Sequence, residues 1–338
     1  MIELFYQNPM KKIADNLIWI IGQGGLLGSA LSQQLSLQTT PWTLWSQPLK
    51  FDWKNNFTLI NQFKHSLAEF EKATASFQGW TILWCAGAGV IGSKENALNQ
   101  ETQNFSSFLA LLDEFFTTNS KKGTFFLASS AGGIWAGTKS FPITEFSSPF
   151  PISEYGHQKL AQEDALKELA QRHPNLQILI GRISNLYGPG QNLEKPQGLL
   201  SQLCRSALLQ VPMNVFVSLN TTRDYIHTAD AAEMILRSLK QIGEKHSSQN
   251  CTTKIICSEE ECSISQILSY LKHLTSHPPL ISHPENLIAS QQPKELIFRS
   301  ECLVSSFKCR PLFEGLNELL CAQEKQLQLG ALPFPQAV

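Results

Sequence analysis

The stretch "LIWIIGQGGLLGSAL", Leu17 to Leu31, sets five apolar residues directly before a turn in which Gly22, Gly25 and Gly28 recur at every third position. Two structures compete for these letters. With the charged "MKKIADN" of Met10 to Asn16 in front, they have the outline of a cleaved leader: a basic start, an apolar middle and a small-residue end at Ser29-Ala30. They also have the outline of a strand, a tight turn and a helix. Gly-Gln-Gly-Gly interrupts the apolar run that a leader needs, whereas in the second structure each glycine has a physical task. One makes the turn, one lets the backbone approach a pyrophosphate, and one lets helix and strand pack closely. The anion then sits on the positive end of a helix whose Leu27, Ala30, Leu31 and Leu35 share one side. Gly22, Gly25 and Gly28, with Leu26 and Leu27 at the helix start, are the expected contacts to a dinucleotide.

At 338 residues and 42% hydrophobic content the chain can bury a substantial core in one large or two moderate domains. Lys plus Arg number 27 and Asp plus Glu 28, so no global charge draws the protein to nucleic acid or an acidic membrane. The expected partner is a small molecule. Eight scattered cysteines show no Cys-x-x-Cys pair and no zinc spacing, so no metal site is expected. They read as free thiols in a reducing cytoplasm, and no other apolar run approaches the roughly 18 residues needed to cross a bilayer.

The first half alternates short β-rich runs with helical patterns, as a parallel sheet built from βαβ units requires. The strands expected are Leu17 to Ile21, Trp42 to Trp45, Thr81 to Cys85, Phe125 to Ala128 and Ile178 to Gly181; the helices include Leu26 to Leu35, Asn104 to Phe116 and Ser153 to Gln171. After about Ile183 a Gly/Pro-punctuated stretch, "YGPGQNLEKPQG", opens a region of mixed elements with a β-rich "NVFVSL". The stretch "EKHSSQN" (Glu244 to Asn250) reads as an exposed loop and the tail "GALPFPQAV" as irregular.

Downstream, "YGHQK" places Tyr155 and Lys159 four residues apart in a helical pattern, on one face and ~6 Å apart along the axis. A phenol titrates at about 10 and is a poor base at neutral pH. A neighbouring ammonium and a cationic nicotinamide would favour its ionised form, and a displacement of ~3 units takes about 4 kcal/mol. "FFLASSAGG" is an apolar strand ending in Ser129 and Ser130, either of which could hold a substrate oxygen beside the phenol.

In order along the chain, these segments resemble the extended short-chain dehydrogenase/reductase family, in particular its sugar-nucleotide epimerases and dehydratases. "GRISNLYGPG" (Gly181 to Gly190) is similar to the family's Arg-x-x-Asn-x-Tyr-Gly-Pro-Gly segment, and "RDYIHTADAA" (Arg223 to Ala232) to its Arg-Asp-Phe/Tyr-Ile-His segment. "KIICSEEECSISQIL" resembles a later glycine-rich segment, with Cys257, Ser258 and Glu259 where the glycines stand. The likeness runs from about Leu17 to Leu320.

The resemblance implies a Rossmann-type doubly wound parallel sheet over residues 11–182, completed near 221–240, and a smaller α/β substrate-binding domain from 183–220 and 241–325. It implies that Asp52 binds the adenine amino group, that Ala86 and Gly87 line the cofactor cleft, and that Asn104 supports the site. Ser130, with Ser129 as the competing register, Tyr155 and Lys159 become the catalytic set; Lys159 also binds the nicotinamide ribose. Asn185 and Arg223 fall where the family contacts a substrate diphosphate, although Asn185 could equally cap a turn and Arg223 pair with Asp224 or Asp230. A homodimer through the Tyr/Lys helix and the Asn104 helix is also implied.

Two departures qualify the likeness. Ser46 stands where many members carry the Asp that binds the adenosine ribose, so NAD and NADP both remain open. Ala131-Gly132 replaces the Asp-Glu pair of the 4,6-dehydratases, which disfavours dehydration. The expected protein is therefore an NAD(P)-dependent nucleotide-sugar epimerase or 4-ketosugar reductase in the cytoplasm. The alternatives are a reductase of a non-nucleotide carbonyl compound and a non-catalytic cofactor sensor. Tyr155, Lys159 and the later segments make sense only with the glycine turn retained, which argues against a cleaved leader and leaves Met10 as an alternative start.

Overall fold

The computed structural model describes residues 16–37, 42–195, 197–244, 250–282, 292–303 and 306–334. Met10 and the basic lead-in lie outside the described residues, as do 245–249 of the expected loop and the last four residues of the tail.

The apolar run that opens the chain forms β1 (Asn16–Ile21). Alternate residues face opposite ways: Leu17, Trp19 and Ile21 enter one apolar cluster, Ile18 and Ile20 the other. Burial on both faces is why this strand is a continuous apolar run and not an alternating one. Leu26–Leu37 follows as α1, then β2 (Trp42–Leu44), α2 (Asn56–Thr74), β3 (Gly79–Trp84), α3 (Glu95–Thr118), β4 (Lys122–Ser130), the short α4 (Ala131–Ile134), α5 (Glu154–Arg172) and β5 (Leu176–Ile183). Each of the five strands and three helices expected in this half is present, with ends shifted by a few residues, and α3 begins nine residues earlier than expected. Ser153 caps α5, its hydroxyl accepting from Gly156 N–H. The helix α2 has no counterpart among those expected, although Leu59, Phe63, Leu67 and Phe70 bury one face of it.

The chain continues through β6 (Asn185–Tyr187), α6 (Leu199–Leu209), β7 (Met213–Asn214), β8 (Thr222–His227), α7 (Thr228–Glu244), β9 (Cys251–Ile256), β10 (Glu261–Ser263), α8 (Ile264–Leu274), β11 (Ile281–Ser282) and α9 (Leu312–Gln328). Six strands make one parallel sheet in the order β2-β1-β3-β4-β5-β9. Helices α2, α3 and α5 cover one face and α1 and α7 the other, each through its own apolar cluster. This is the doubly wound α/β architecture. The strand order reverses between β1 and β3, so a crevice opens at their carboxyl ends, where such sheets bind ligands.

Strand β9 lies inside the stretch grouped above with the smaller region, yet it pairs with β5 in the large sheet. Residues of β6, β8, α6, α8 and α9 build a separate apolar cluster around Tyr187, Leu203, Ile267 and Leu316. Strands β10, β8 and β6 form a small sheet there. "NVFVSL" is less β-like than its composition: only Asn214 of it lies in β7, which pairs with β11, and Val215 N–H adds one bond to Ser282 before the chain turns. All eight cysteines are free thiols, and no helix among the described residues is long and apolar enough to cross a membrane.

Candidate active site

The glycine turn closes on the crevice. Gly22 has φ +90°, and a Cβ there would stand 2.6 Å from Ala86 N, so any side chain would collide with the chain leaving β3. Gly28 in the first turn of α1 is packed still more tightly: its Cβ would lie 2.2 Å from Gly22 O. Gly25 N–H donates to Gly22 O at 2.9 Å, which sets the start of the helix against the strand end. Leu27 is buried in the core and Leu26 is half-buried, so their contribution to a bound anion is the backbone N–H at the helix start.

In front of this turn is a cavity of about 690 Å³, bordered by Gly22, Gly25, Trp53, Ala86, Gly87 and Asn104 among others. Its volume is in the roughly 300–1,000 Å³ range of small-molecule and cofactor sites. Cys85 borders it too, its thiol pushed well above the usual range by burial, which leaves it a poor nucleophile.

Beside the cavity the helical spacing of Tyr155 and Lys159 brings them together as expected, with Lys159 Nζ 5.8 Å from the centre of the phenol ring. Gly133 separates Tyr155 from Ser130: a Cβ on it would meet the Tyr155 ring at 3.0 Å and Ser130 Oγ at 3.3 Å. Ser130 caps α4, its Oγ accepting from Gly133 N–H at 3.1 Å. Ser129 is turned elsewhere: it is buried and donates to Glu163 at 2.7 Å. Glu163 also takes a two-pronged bond from Arg182, at 3.0 and 2.7 Å, and the guanidinium lies over the Trp135 ring. Ser130 is thus the strand-end hydroxyl nearer the phenol.

Lys159 is buried but not alone. Glu101 Oε1 accepts from its Nζ at 2.9 Å, and Gln162 Oε1 accepts at 3.3 Å. Asn104, one turn after Glu101 on α3, is buried at the cavity wall and accepts from Gln100. Glu101, Trp53 and Glu163 were not among the residues expected at the site. Glu101 and Asn104 share a helix face at i, i+3, and an acidic residue on a face that carries an inward Asn was the available signal.

Four expected residues lie apart from this centre. Ser46 is exposed, two residues past β2, in a shallow recess with Trp45, Glu69 and Lys72. Asp52 is exposed and accepts from Lys54 N–H, while its neighbour Trp53 borders the cavity. Asn185 Nδ2 donates to Asp224 O at 2.7 Å. Arg223 pairs with neither Asp224 nor Asp230; its guanidinium donates to the carbonyls of Thr222 and Pro293 at 2.8 and 2.7 Å. Asp230 is held by Arg310 instead, and Asp224 is buried among donors from Ser184, Ser258 and Glu259. Glu259, at a position where the resembled segment has glycine, takes φ +64°.

The family model described as the NAD dependent epimerase/dehydratase family matches residues 18–251, well over half of the chain. The chain belongs to that family. Among curated relatives, the dTDP-4-dehydro-6-deoxyglucose reductase of Escherichia coli is 26% identical over 153 residues, 45% of this chain and 47% of that protein. The chain spans about half the length of the curated relatives it matches. A UDP-glucose 4-epimerase of Thermotoga maritima, solved with UDP-glucose, superposes with TM-score 0.71 at 20% identity over 92% of this chain and 99% of that one. RMD of Pseudomonas aeruginosa, solved with NADPH, gives TM-score 0.73 at 20% identity over 91% and 99%. At that identity the likeness concerns the fold. The glycine cradle, free of any Cβ that would block a close-lying pyrophosphate, fits the dinucleotide that the family name specifies.

Proposed function

We propose that this family member is an NAD(P)-dependent nucleotide-sugar epimerase or 4-ketosugar reductase. The observation that carries the reading is the cavity at the β1/β3 crevice adjoining the Tyr155–Lys159 pair and Ser130. Gly22, Gly25 and Gly28, with the first N–H groups of α1, would hold the pyrophosphate; Ala86 and Gly87 would line the cleft, and Asn104 would support it. Bound there, the dinucleotide supplies the site of hydride exchange. Ser130 holds the reacting sugar oxygen, and Tyr155 takes or returns its proton. Lys159 contributes a fixed positive charge to the nicotinamide-side ribose and the phenol. No acidic residue follows Ser130, since Ala131 and Gly132 stand there, which supports reversible oxidation and reduction over elimination. Either NAD or NADP suits this reading, because Ser46 carries no charge to select between them.

Arg223 and Asn185 would bind the substrate diphosphate. Burial holds the Arg223 guanidinium somewhat below its usual value, and it donates to carbonyls, not carboxylates, so its charge stays available to an anion. The bonds to Thr222 and Pro293 also favour a second reading, in which Arg223 only ties two segments together and the substrate is a carbonyl compound without a nucleotide. The proposal further includes a cytoplasmic homodimer joined through exposed, mostly small or polar positions of α3 (Gln103, Ser106, Ala110) and α5 (His157, Ala161, Asp164).

The test is turnover of a panel of UDP- and dTDP-sugars and their 4-keto forms with NAD(H) and NADP(H), for the wild type and Tyr155→Phe. Loss of the phenol is expected to lower kcat by about 10²–10⁴-fold with cofactor affinity nearly intact. Unchanged turnover in Tyr155→Phe rejects the mechanism.

A further inference from the structure

Glu101 is the carboxylate bordering the cavity, and the proposed function gives it no task. Its carboxylate is held from two sides. Oε1 accepts from Lys159 Nζ at 2.9 Å, and Oε2 accepts from the backbone N–H groups of Ala88 and Gly89, each at 2.9 Å. Glycine makes the room: a Cβ on Gly87 would stand 2.9 Å from Oε1 and 3.4 Å from Lys159 Nζ, and one on Gly89 would stand 3.2 Å from Oε2. One carboxylate therefore joins the loop after β3 to both α3 and α5.

An ammonium removed from water is driven toward its neutral form by the loss of hydration. Lys159 is only 7% exposed. Burial opposes its charge, yet Glu101 and then Tyr155 outweigh it and hold Lys159 above the usual lysine value. Burial likewise works against the Glu101 carboxylate, and Lys159, Gly89 and Ala88 more than offset it, holding it below its usual value. Of the other charged groups nearby, Lys54 borders the same cavity, and Lys167 Nζ lies 3.7 Å from Glu163. Glu163, one turn along α5, is bonded to Arg182 of β5 and to Ser129 of β4. Among the described residues, Glu101 is the carboxylate that forms an ion pair with Lys159.

We infer that Glu101 is a positioning residue, which fixes Lys159 Nζ against the loop after β3 and keeps it charged across the working pH range. The inference takes its functional meaning from the reading of Lys159 as a cofactor ligand, but the ion pair is testable without substrate. Protein labelled with ¹³C-lysine is titrated by NMR, the Lys159 Cε signal being assigned by its loss in Lys159→Met. In the wild type that signal is expected to stay in the ammonium form beyond the titration of the exposed lysines. In Glu101→Gln its midpoint is expected to fall by at least about one pH unit. Calorimetric titration with NADH at about pH 7 and about pH 10 is the second arm. Affinity is expected to weaken several-fold more between these pH values in Glu101→Gln than in the wild type.

An unchanged Lys159 midpoint in folded Glu101→Gln overturns the inference. A lowered midpoint with no added change in NADH affinity upholds Glu101 as the group that charges Lys159 and removes Lys159 from the cofactor site. If circular dichroism shows that the Gln variant does not fold, Glu101→Asp, shorter by one methylene, is expected to lower the midpoint by a smaller amount. No change there overturns the inference equally.

Discussion

Ser129 and Ser130, neighbours at the end of β4, serve opposite partners: Ser129 Oγ donates to the buried Glu163 carboxylate at 2.7 Å, whereas Ser130 Oγ accepts from Gly133 N–H at 3.1 Å, next to the phenol. Ser130→Ala is expected to lower kcat by about 10²-fold or more, since it removes the hydroxyl that would hold the reacting oxygen. Ser129→Ala is expected to lower stability by about 1–3 kcal/mol, because a buried carboxylate loses a donor, while kcat per folded molecule changes little. Steady-state kinetics and urea unfolding on both variants separate the roles; a larger kinetic loss in Ser129→Ala would reverse the assignment.

Gly28→Ala brings a methyl carbon to 2.2 Å from Gly22 O. Something must shift, and the glycine turn is what lies against it. The expected cost is about 1–3 kcal/mol of stability. NADH should raise the melting temperature of the wild type far more than that of the variant. An equal rise in both would show that the turn does not hold the dinucleotide.

Arg223 separates the two substrate readings. For a nucleotide sugar, Arg223→Lys and Arg223→Ala should raise KM by at least about tenfold, with the Ala change the larger. For a carbonyl substrate without phosphate, both variants should leave KM nearly unchanged and show their effect as lower thermal stability, since the carbonyls of Thr222 and Pro293 lose their donors.

Asp224 gives a pH signature. Burial pushes its carboxyl up to about 6, against the pull of donors from Ser184, Ser258 and Glu259. Because the folded value lies above the unfolded one, the folded chain binds more protons than the unfolded chain between about pH 4 and 6. Its contribution therefore lowers stability as pH rises through that window and is level above it. Asp224→Asn, though less stable overall, should lack this component. The slopes of urea midpoint against pH for the two proteins give the comparison, and equal slopes would place the Asp224 carboxyl near its unfolded value.

What the sequence made legible was local. Leu17 to Ile21 announced an apolar strand, the glycines announced their turn, and the four-residue interval from Tyr155 to Lys159 was enough to put both on one side of α5. Pairings made across the chain left no such mark. The choice between Ser129 and Ser130 depends on Glu163 and Arg182, which only the β4–β5 pairing and α5 bring alongside. The partnership of Lys159 with Glu101 spans 58 residues, and the place of β9 beside β5 follows from a crossover that no local pattern records. Helix α2 was legible too: its apolar residues recur at helical intervals from Leu59 to Phe70 with polar and charged residues between them, the pattern of a helix that buries one face. Ser46 and Asp52 show the converse: the chain after β2 leaves both side chains exposed and brings Trp53, which no pattern singled out, to the cavity.

Trp53 and Trp84 both border that cavity, and their rings meet edge to face at 6.1 Å. Indole emission overlaps the absorption band of a reduced nicotinamide, so occupancy of the crevice would quench the protein's own light. Trp84 is sealed in the core and Trp53 is 37% exposed, so solvent-borne quenchers would reach the second and not the first. Of the seven tryptophans, these two would sense a dinucleotide in the crevice most directly, and Trp53→Phe would remove the exposed one of the pair.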